Sequence, residues 1–251
     1  MTTALLDGDV YLFQAALAAE TVTDWGDGVW TLEAHEHMAE SALAEMIERD
    51  LEATKCGDYV LVFSDSDRSK IFRKDILPSY KESRTKKRKP VLIPYLRKFA
   101  LQWHECYERE TLEGDDVLGI LMTHPSIIKG DRVCVSIDKD MKTIPGKHYN
   151  AMRPDDGVYE VTPDEAHWWH MMQTLTGDTV DGYKGCPGIG EVRAKRLLDG
   201  SPVEEWWELI VAAFEKAKLS EEEALVQARC ARILQASDYD FENKCVLPWT
   251  P

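Results

Sequence analysis

Three short apolar segments of this chain each run directly into acidic residues, and helical patterns separate them. The segments, each with the acid that follows it, are residues 4–6 with Asp7, residues 59–63 with Asp65, and residues 132–137 with Asp138. Strands that alternate with helices favour a mostly parallel sheet with helices on both faces. Open α/β folds place their sites at the carboxyl edge of the sheet, so the acids are expected to cluster there.

The rest of the pattern predicts the order of the other elements. The predicted helices in the first part are residues 10–19, 34–55, 91–102 and 113–122, with a β-hairpin at 21–32 and strands at 105–110 and 159–161. The predicted helices in the second part are residues 163–175, 190–198, 203–216 and 220–234. The sequence therefore predicts an α/β domain over residues 1–162 and a helical region over residues 163–251.

The charge of the chain is unevenly distributed. The net charge is −15, yet residues 68–98 contain twelve of the thirty Lys and Arg residues and carry +10. An acidic body with one basic segment is typical of a metal site combined with an element that binds phosphate. A solvated run of charge is the alternative for residues 86–89 alone.

Several classes of protein are excluded by composition. No apolar run approaches the roughly 18 residues that a membrane span needs, and the first residues do not resemble a secretory signal. The six cysteines are widely spaced and include no CxxC pair, which argues against a zinc site or a disulfide framework. We expect reduced thiols buried in the core of a cytoplasmic protein.

Pairs of carboxylates recur at spacings that place them on one face. Asp138 and Asp140 share a side of an extended chain, and Glu113 and Asp116, like Asp178 and Asp181, are neighbours on a helix. Crowded carboxylates repel one another unless a cation lies between them, and Mg²⁺ or Mn²⁺ prefers oxygen ligands. Two such ions, roughly 4 Å apart, can support the hydrolysis of a phosphodiester.

Two other motifs suggest contacts with phosphate. Gly185, Gly188 and Gly190 form a glycine-rich turn before a helix that carries Arg193, Lys195 and Arg196, although a plain helix–helix turn is the alternative. Lys81 and Arg84 would share a helical face and could hold one phosphate. Lys70 and Arg73 in the basic segment are further candidate DNA contacts. Phe13 could stack on a terminal base, with core packing as the alternative.

The ordered set of motifs resembles the flap endonuclease and 5′-exonuclease superfamily, especially the 5′→3′ exonucleases of short-tailed bacteriophages. The motifs are LLDGD, FSDSD, LPSYKESR, LEGDDV, SIDKDMKTIP, TGDTVDGY and GCPGIGEVRAKRLL, and they extend from residue 5 to residue 198. The resemblance implies a PIN-like α/β fold. It also implies a helical arch at about residues 68–98 and a helix–three-turn–helix at about residues 178–198.

The same resemblance implies roles for individual residues. The first metal would be surrounded by Asp7, Asp65, Glu113, Asp115 and Asp116, and the second by Asp138, Asp140, Asp178 and Asp181. Lys81 and Arg84 would act on the scissile phosphate, and the glycine turn would hold duplex DNA, often with K⁺. Asp67 could replace Asp65 as a ligand. The resemblance places neither Asp9 nor residues 203–251.

The expected function is a Mg²⁺-dependent 5′→3′ exonuclease or flap nuclease on duplex DNA, in which Mn²⁺ can substitute. RNA–DNA hybrids are a further candidate substrate, and phage DNA replication, primer removal or recombination in the host cytoplasm is the expected context. One alternative is a haloacid-dehalogenase-type phosphatase with Asp7 as nucleophile and Asp9 as general acid. The other is a non-catalytic DNA-binding module that uses the glycine turn. The first leaves the basic segment unexplained, and the second leaves the acids without a role.

Overall fold

The computed structural model describes residues 2–83 and 88–251, and its centre is a six-stranded sheet. The strands of this sheet are β1 (Thr2–Asp7), β4 (Asp58–Val62), β5 (Cys106–Tyr107), β6 (Asp131–Val135), β7 (Gly146–Tyr149) and β8 (Tyr159–Val161). Their order across the sheet is β5-β4-β1-β6-β7-β8, and only the β7–β8 pair is antiparallel. Leu5 in the middle of β1 lies between Val60 and Cys134. The prediction of a mostly parallel sheet is confirmed.

Helices cover both faces of this sheet. The helices of the first part are α1 (Gly8–Ala18), α2 (Glu36–Thr54), α3 (Arg73–Ile76), α4 (Ile93–Trp103) and α5 (Gly114–Thr123). Successive side chains of a strand point to opposite faces. Ala4 and Leu6 accordingly belong to the core cluster of α1, α2 and α4, whereas Leu5 packs with the buried side chains of α5. The sheet is buried on both faces, as near-continuous apolar strands require.

The second part of the chain is helical. Its helices are α6 (Pro163–Thr176), α7 (Glu191–Asp199), α8 (Trp206–Lys216) and α9 (Glu221–Ala231). A Thr162–Glu165 capping box begins α6 and a Ser220–Glu223 box begins α9. These helices share a core of their own, in which Leu198, Ile210 and Phe214 are fully or almost fully buried. The division at residues 162/163 into two domains stays a prediction.

Other elements depart from the expected pattern in length. The hairpin is confirmed as β2 (Glu20–Gly26) and β3 (Val29–Ala34), but β5 has two residues where six were expected. β7 was not expected at all, because its sequence, GKHY, has neither an apolar run nor alternation. A small pair, β9 (Tyr239–Asp240) and β10 (Cys245–Val246), follows the helices. Among the described residues, no helix is long and apolar enough to cross a membrane.

The predictions of a helical arch and of six buried cysteines are not confirmed in full. The described part of the expected arch contains α3 and the start of α4, but residues 84–87 lie outside the described residues, so the helical arch stays a prediction. All six cysteines are free thiols, as expected. Cys245 is exposed and Cys106 is only partly buried, however, so the prediction that every cysteine is buried is wrong at these two positions.

The chain after α9 packs directly on α5. An added Cβ at Gly119 would lie 2.2 Å from the carbonyl oxygen of Leu234. The Ala236 amide donates to the Thr123 hydroxyl at 2.8 Å. Because α5 approaches this segment so closely, a residue without a side chain is required at position 119.

Replacing Gly119 with alanine should therefore destabilise the fold. The added methyl cannot fit without separating α5 from residues 233–234, and we expect a loss of roughly 2–3 kcal/mol in the free energy of unfolding, measured by urea denaturation. Gly190→Ala is the matched control, since open space surrounds Gly190 and its φ is −98°. Equal stability of both variants would contradict the close packing.

Candidate active site

A cavity of about 580 Å³ opens at the carboxyl edge of the sheet. Five carboxylates line it: Asp7, Asp9, Glu113, Asp115 and Asp138. Four basic side chains also line it: Arg68, Lys74, Lys81 and Lys89. The carboxyl ends of β1 and β6 and the first turn of α5 meet at this point, so acids far apart in sequence are brought together as the strand pattern predicts.

Asp7 lies at the centre of the carboxyl edge. It caps α1 by accepting from the Val10 amide at 3.4 Å, and the Ser136 hydroxyl donates to it at 2.7 Å. Burial raises the pKa of Asp7 to about 7; the Ser136 bond opposes this shift, and nearby Asp9 and Asp138 add to it. Burial and the charge of Asp7 likewise raise the pKa of Asp115. Both carboxylates therefore lack a sufficient countercharge.

Asp9 also has a clear position. The amide and hydroxyl of Ser64 donate to its Oδ2 at 3.0 and 2.6 Å, and the Arg68 guanidinium lies 2.9 Å from the same oxygen. The Gly114 amide donates in turn to the Ser64 hydroxyl at 2.7 Å. Asp9 thus ties the start of α1 to the end of β4 and the start of α5.

Glu113 is the carboxylate that already has cationic partners. Lys81 Nζ lies 2.6 Å and Arg73 3.1 Å from its oxygens, and the Tyr80 hydroxyl donates to it at 2.9 Å. Burial alone would raise the pKa of Glu113, but the charges of Lys81 and Arg73 outweigh it and lower the pKa to about 2. Glu113 is consequently ionised at neutral pH.

The second group of acids lies beside the first. Asp140 accepts a hydrogen bond from the side-chain amide of Gln173 at 2.5 Å. Burial and the charges of Asp138, Asp178 and Asp181 raise the pKa of Asp140 to about 7, whereas the charge of Lys139 opposes this shift. Tyr80 and Lys81 connect the two groups, because the Tyr80 hydroxyl and Lys81 Nζ also lie 3.1 and 3.3 Å from Asp181.

Two of the ligands predicted for the first metal, Asp65 and Asp116, do not line the cavity. Asp116 is completely buried, and its oxygens accept from Arg73, from the Glu113 amide and from the Leu234 amide. Asp65 accepts from the Asp67 and Thr111 amides at 2.8 and 2.7 Å and thereby holds a loop. Asp67, its alternative, accepts from Ser69 and pairs with Lys70. Both carboxylates already have partners within the protein, and their roles as metal ligands stay predictions.

The remaining acids have the right chemistry for a divalent ion, but they are not in coordination geometry. Within residues 2–83 and 88–251, no three Asp, Glu, His or Cys side chains converge closely enough to hold a metal ion. The carboxylates without a sufficient countercharge, Asp7, Asp115 and Asp140, offer only oxygen donors, the type that Mg²⁺ and Mn²⁺ prefer. The residues therefore fit a hard cation, with Lys81 and Arg73 now partly neutralising the group.

The predicted DNA contacts lie in different environments. Lys70 is exposed and Phe13 is 41% exposed, so both are accessible. Arg73 is 2% exposed and donates to carboxylates and carbonyls, so the prediction that it contacts DNA is wrong. Arg84 lies outside the described residues.

The glycine turn connects α6 to α7. Gly185 and Gly188 have φ values of 65° and 77°, and Gly190 is the N-cap of α7. The Gly185 amide already donates a hydrogen bond to the side-chain oxygen of Gln227. The Arg193 guanidinium donates to the Gly188 carbonyl, whereas Lys195 and Arg196 are exposed on α7. The turn and its basic residues are thus close together, although Arg193 partly serves the turn itself.

Four residues that line the cavity or contact its carboxylates have no role in the sequence prediction: Ser64, Arg68, Tyr80 and Ser136. Ser136 had a usable signal, since it lies two residues before Asp138 at the end of a strand and so shares its side. Tyr80 had none beyond its position next to Lys81.

Comparison with known proteins identifies the family. The model of the "5′-3′ exonuclease, N-terminal resolvase-like domain" matches residues 2–169. The chain belongs to the 5′-3′ exonuclease family. The exodeoxyribonuclease of Enterobacteria phage T3 is 31% identical over 98% of this chain and 92% of its own length. The exonuclease of Escherichia phage T7 is 30% identical over 98% and 93%.

A solved structure supports the same fold. The flap endonuclease of bacteriophage T5, in a complex with DNA and metal ions, superposes with a TM-score of 0.60 at 13% identity, covering 92% of this chain and 91% of that one. The predicted superfamily, the α/β fold and the class of 5′→3′ exodeoxyribonuclease are confirmed. The phosphatase and non-catalytic alternatives are thereby set aside.

The crowding of the acids predicts a pH effect in the metal-free protein. The pKa of Asp7 is about 7 in the folded state, above its ordinary value, so folding favours its protonated form. That stabilisation is complete at about pH 4 or below and is lost as the pH rises to about 7. We therefore compare the unfolding free energy of Asp7→Asn with that of the parent in EDTA. The difference should shift in favour of the variant by roughly 2–4 kcal/mol as the pH is raised from about 4 to about 8.

Urea unfolding at several pH values measures this difference. Asp58→Asn, at the exposed amino end of β4, is the matched control. A pH-independent difference between Asp7→Asn and the parent would contradict the crowding at Asp7.

Proposed function

We propose that this exonuclease hydrolyses phosphodiester bonds of duplex DNA from 5′ ends or flaps with the help of two Mg²⁺ ions. The observation that carries the proposal is the cavity in which Asp7, Asp115 and Asp138 meet beside Lys81. The T5 flap endonuclease, whose structure includes DNA and metal ions, supports the choice of substrate and cofactor. Mn²⁺ would substitute for Mg²⁺, because both ions accept oxygen ligands.

The proposed ligands follow from the two groups of acids. Asp7, Glu113 and Asp115 would hold the first ion, and Asp138, Asp140, Asp178 and Asp181 the second. Bound ions would neutralise the carboxylates, activate water and stabilise the leaving oxygen. Asp7, Asp115 and Asp140 are the members whose pKa is raised, so they gain most from a bound cation.

The chain's own cations would position the DNA. Arg68, Lys74, Lys81 and Lys89 line the cavity and can bind phosphates on either side of the scissile bond. Lys81 is the one that also contacts both acid groups, so it is proposed to orient the scissile phosphate, together with Arg84. The glycine turn with Lys195 and Arg196 would hold the duplex further away, with K⁺ as a candidate ion there. Lys70 and Phe13 are further proposed contacts.

The wider role is proposed from the phage relatives. Degradation from 5′ ends suits primer removal and recombination during phage DNA replication in the host cytoplasm, and the RNA strand of an RNA–DNA hybrid is a further proposed substrate. A hybrid labelled at the RNA 5′ end tests the last point directly.

Labelled duplex DNA tests the main proposal. Incubation of 5′-labelled duplex with Mg²⁺ should release labelled mononucleotides or short oligonucleotides early, whereas 3′-labelled duplex should release its label late. EDTA should abolish both reactions. Early release from the 3′ end, or cleavage that persists in EDTA, would contradict the proposal.

Removing one carboxylate from the second group should abolish most cleavage. Asp138→Asn takes a charge from the carboxyl end of β6, and we expect the rate constant to fall roughly 100-fold or more because an ion loses a ligand. Asp131→Asn, at the exposed amino end of the same strand, should keep the parental rate.

A parallel comparison applies to Lys81. Lys81→Ala should lower the rate of cleavage roughly 100-fold while DNA binding, measured by fluorescence anisotropy, changes less. Lys129→Ala, an exposed lysine before the amino end of β6, is the matched control. Near-parental cleavage by Lys81→Ala, with intact folding by circular dichroism, would reject the role of Lys81.

A further inference from the structure

Arg73 is a buried cation in the middle of a basic segment. Its side chain is 3% exposed, and the guanidinium lies against two carboxylates of the α5 N-terminus. Nη1 and Nη2 donate to the two oxygens of Asp116 at 2.6 and 2.7 Å, and Nη1 also donates to Glu113 at 3.1 Å. This planar, two-pronged contact is one that arginine makes and lysine cannot.

The same guanidinium reaches the end of α9 and the residues that follow it, residues 230–234. Nε donates to the Cys230 carbonyl at 3.0 Å, and Nη2 donates to the Arg232 carbonyl. The Leu234 amide donates to Asp116 at 3.1 Å, so the segment contacts both members of the ion pair. Three parts of the chain that are distant in sequence therefore meet at one buried charge pair.

Asp116 has no oxygen directed at the cavity. Oδ1 accepts from Arg73 and Leu234, and Oδ2 accepts from Arg73 and from the Glu113 amide at 3.2 Å. Asp116 directly follows Asp115, which does line the cavity. An anchored Asp116 thus fixes the first turn of α5 and the direction in which Asp115 and Glu113 point.

We propose that Arg73 and Asp116 form a clasp that positions the proposed ligands Glu113 and Asp115, and that Asp116 itself binds no metal. The clasp gives residues 230–234 a role in the active site, because these residues complete the hydrogen bonding of Arg73 and Asp116. Its effect on catalysis rests on the proposed metal-dependent function. Its effect on folding does not.

Unfolding in EDTA separates a clasp from a metal ligand. A metal ligand in an acidic cluster is repelled by its neighbours when no metal is bound, so its neutralisation does not destabilise the metal-free protein. Removal of one partner from a buried ion pair does destabilise it. We expect Asp116→Asn and Arg73→Lys to lower the midpoint of thermal unfolding in EDTA by roughly 5 °C or more.

Asp115→Asn is the matched control, one residue away. It should leave the midpoint in EDTA unchanged or raise it, because it removes a charge near Asp7 and Asp138. Failure of Asp116→Asn to fold in EDTA counts as the same result as a lowered midpoint. If Asp116→Asn behaves like Asp115→Asn, the clasp is overturned. The double variant Arg73→Met/Asp116→Leu should recover stability relative to Arg73→Met alone, since no unpaired charge remains.

Kinetics below the unfolding transition test the positioning role. Arg73→Lys should lower kcat roughly tenfold or more, with KM for duplex DNA within about twofold of the parent, because the ligands and not the DNA contacts are displaced. A raised KM with unchanged kcat would instead indicate a DNA contact. Parental kcat and KM would show that Arg73 supports only the fold, and would overturn the positioning role.

Direct binding of Mn²⁺ supplies a readout that does not need cleavage. Titration calorimetry should show weaker Mn²⁺ binding to Arg73→Lys than to the parent, by several-fold, because Glu113 and Asp115 are less well oriented. Unchanged Mn²⁺ affinity would count against the positioning role. If the parent bound Mn²⁺ but cut no DNA, the proposed nuclease function would fail, whereas the unfolding and Mn²⁺ results would still decide on the clasp.

Discussion

Mutual repulsion of carboxylates at one edge of a parallel sheet is the constraint on which this structure depends. The topology brings Asp7, Asp115 and Asp138 to one cavity, and burial strengthens every interaction among them. Basic side chains of the protein offset part of this repulsion, since Arg73 and Lys81 neutralise Glu113 and Arg73 pairs with Asp116. The repulsion at Asp7, Asp115 and Asp140 is not offset in this way. The raised pKa values of these carboxylates show that each needs a bound cation or a proton.

The sheet was predictable because its central strands are buried on both faces. β1, β4 and β6 read as apolar runs that end in Asp7, in Ser64 and Asp65, and in Ser136 and Asp138, and that pattern alone specifies a parallel core with acids at one edge. β5 and β7 were not predictable in the same way. Both are short, β5 at the edge of the sheet and β7 between β6 and β8, and β7 contains Lys147 and His148 in place of an apolar run.

The site was predictable as a cluster but not as a list of ligands. Spacing shows that Glu113 and Asp116 share a helical face, yet it cannot show that Asp116 faces the interior and Asp115 the cavity. The missing information is tertiary: a guanidinium forty-three residues away along the chain occupies Asp116. Likewise Arg73 and Lys70 look alike in the basic segment, and only tertiary contacts distinguish them: Arg73 is buried against Asp116 and the carbonyls of residues 230 and 232, whereas Lys70 is exposed.

The basic segment therefore places a cation on each side of the acidic cluster. Arg73 enters the protein behind the first turn of α5, and Lys81 approaches from the cavity in front of it. Glu113 lies between them and accepts from both. Because Lys81 Nζ is 2.6 Å from Glu113 Oε1, any cation that binds Glu113 from the cavity must share that oxygen with Lys81 or displace it. Arg73 has no such freedom, since its donors are also held by main-chain carbonyls. In the proposed mechanism, the buried cation on Glu113 fixes the helix, and the cation at the cavity gives way to a metal ion and turns towards a phosphate.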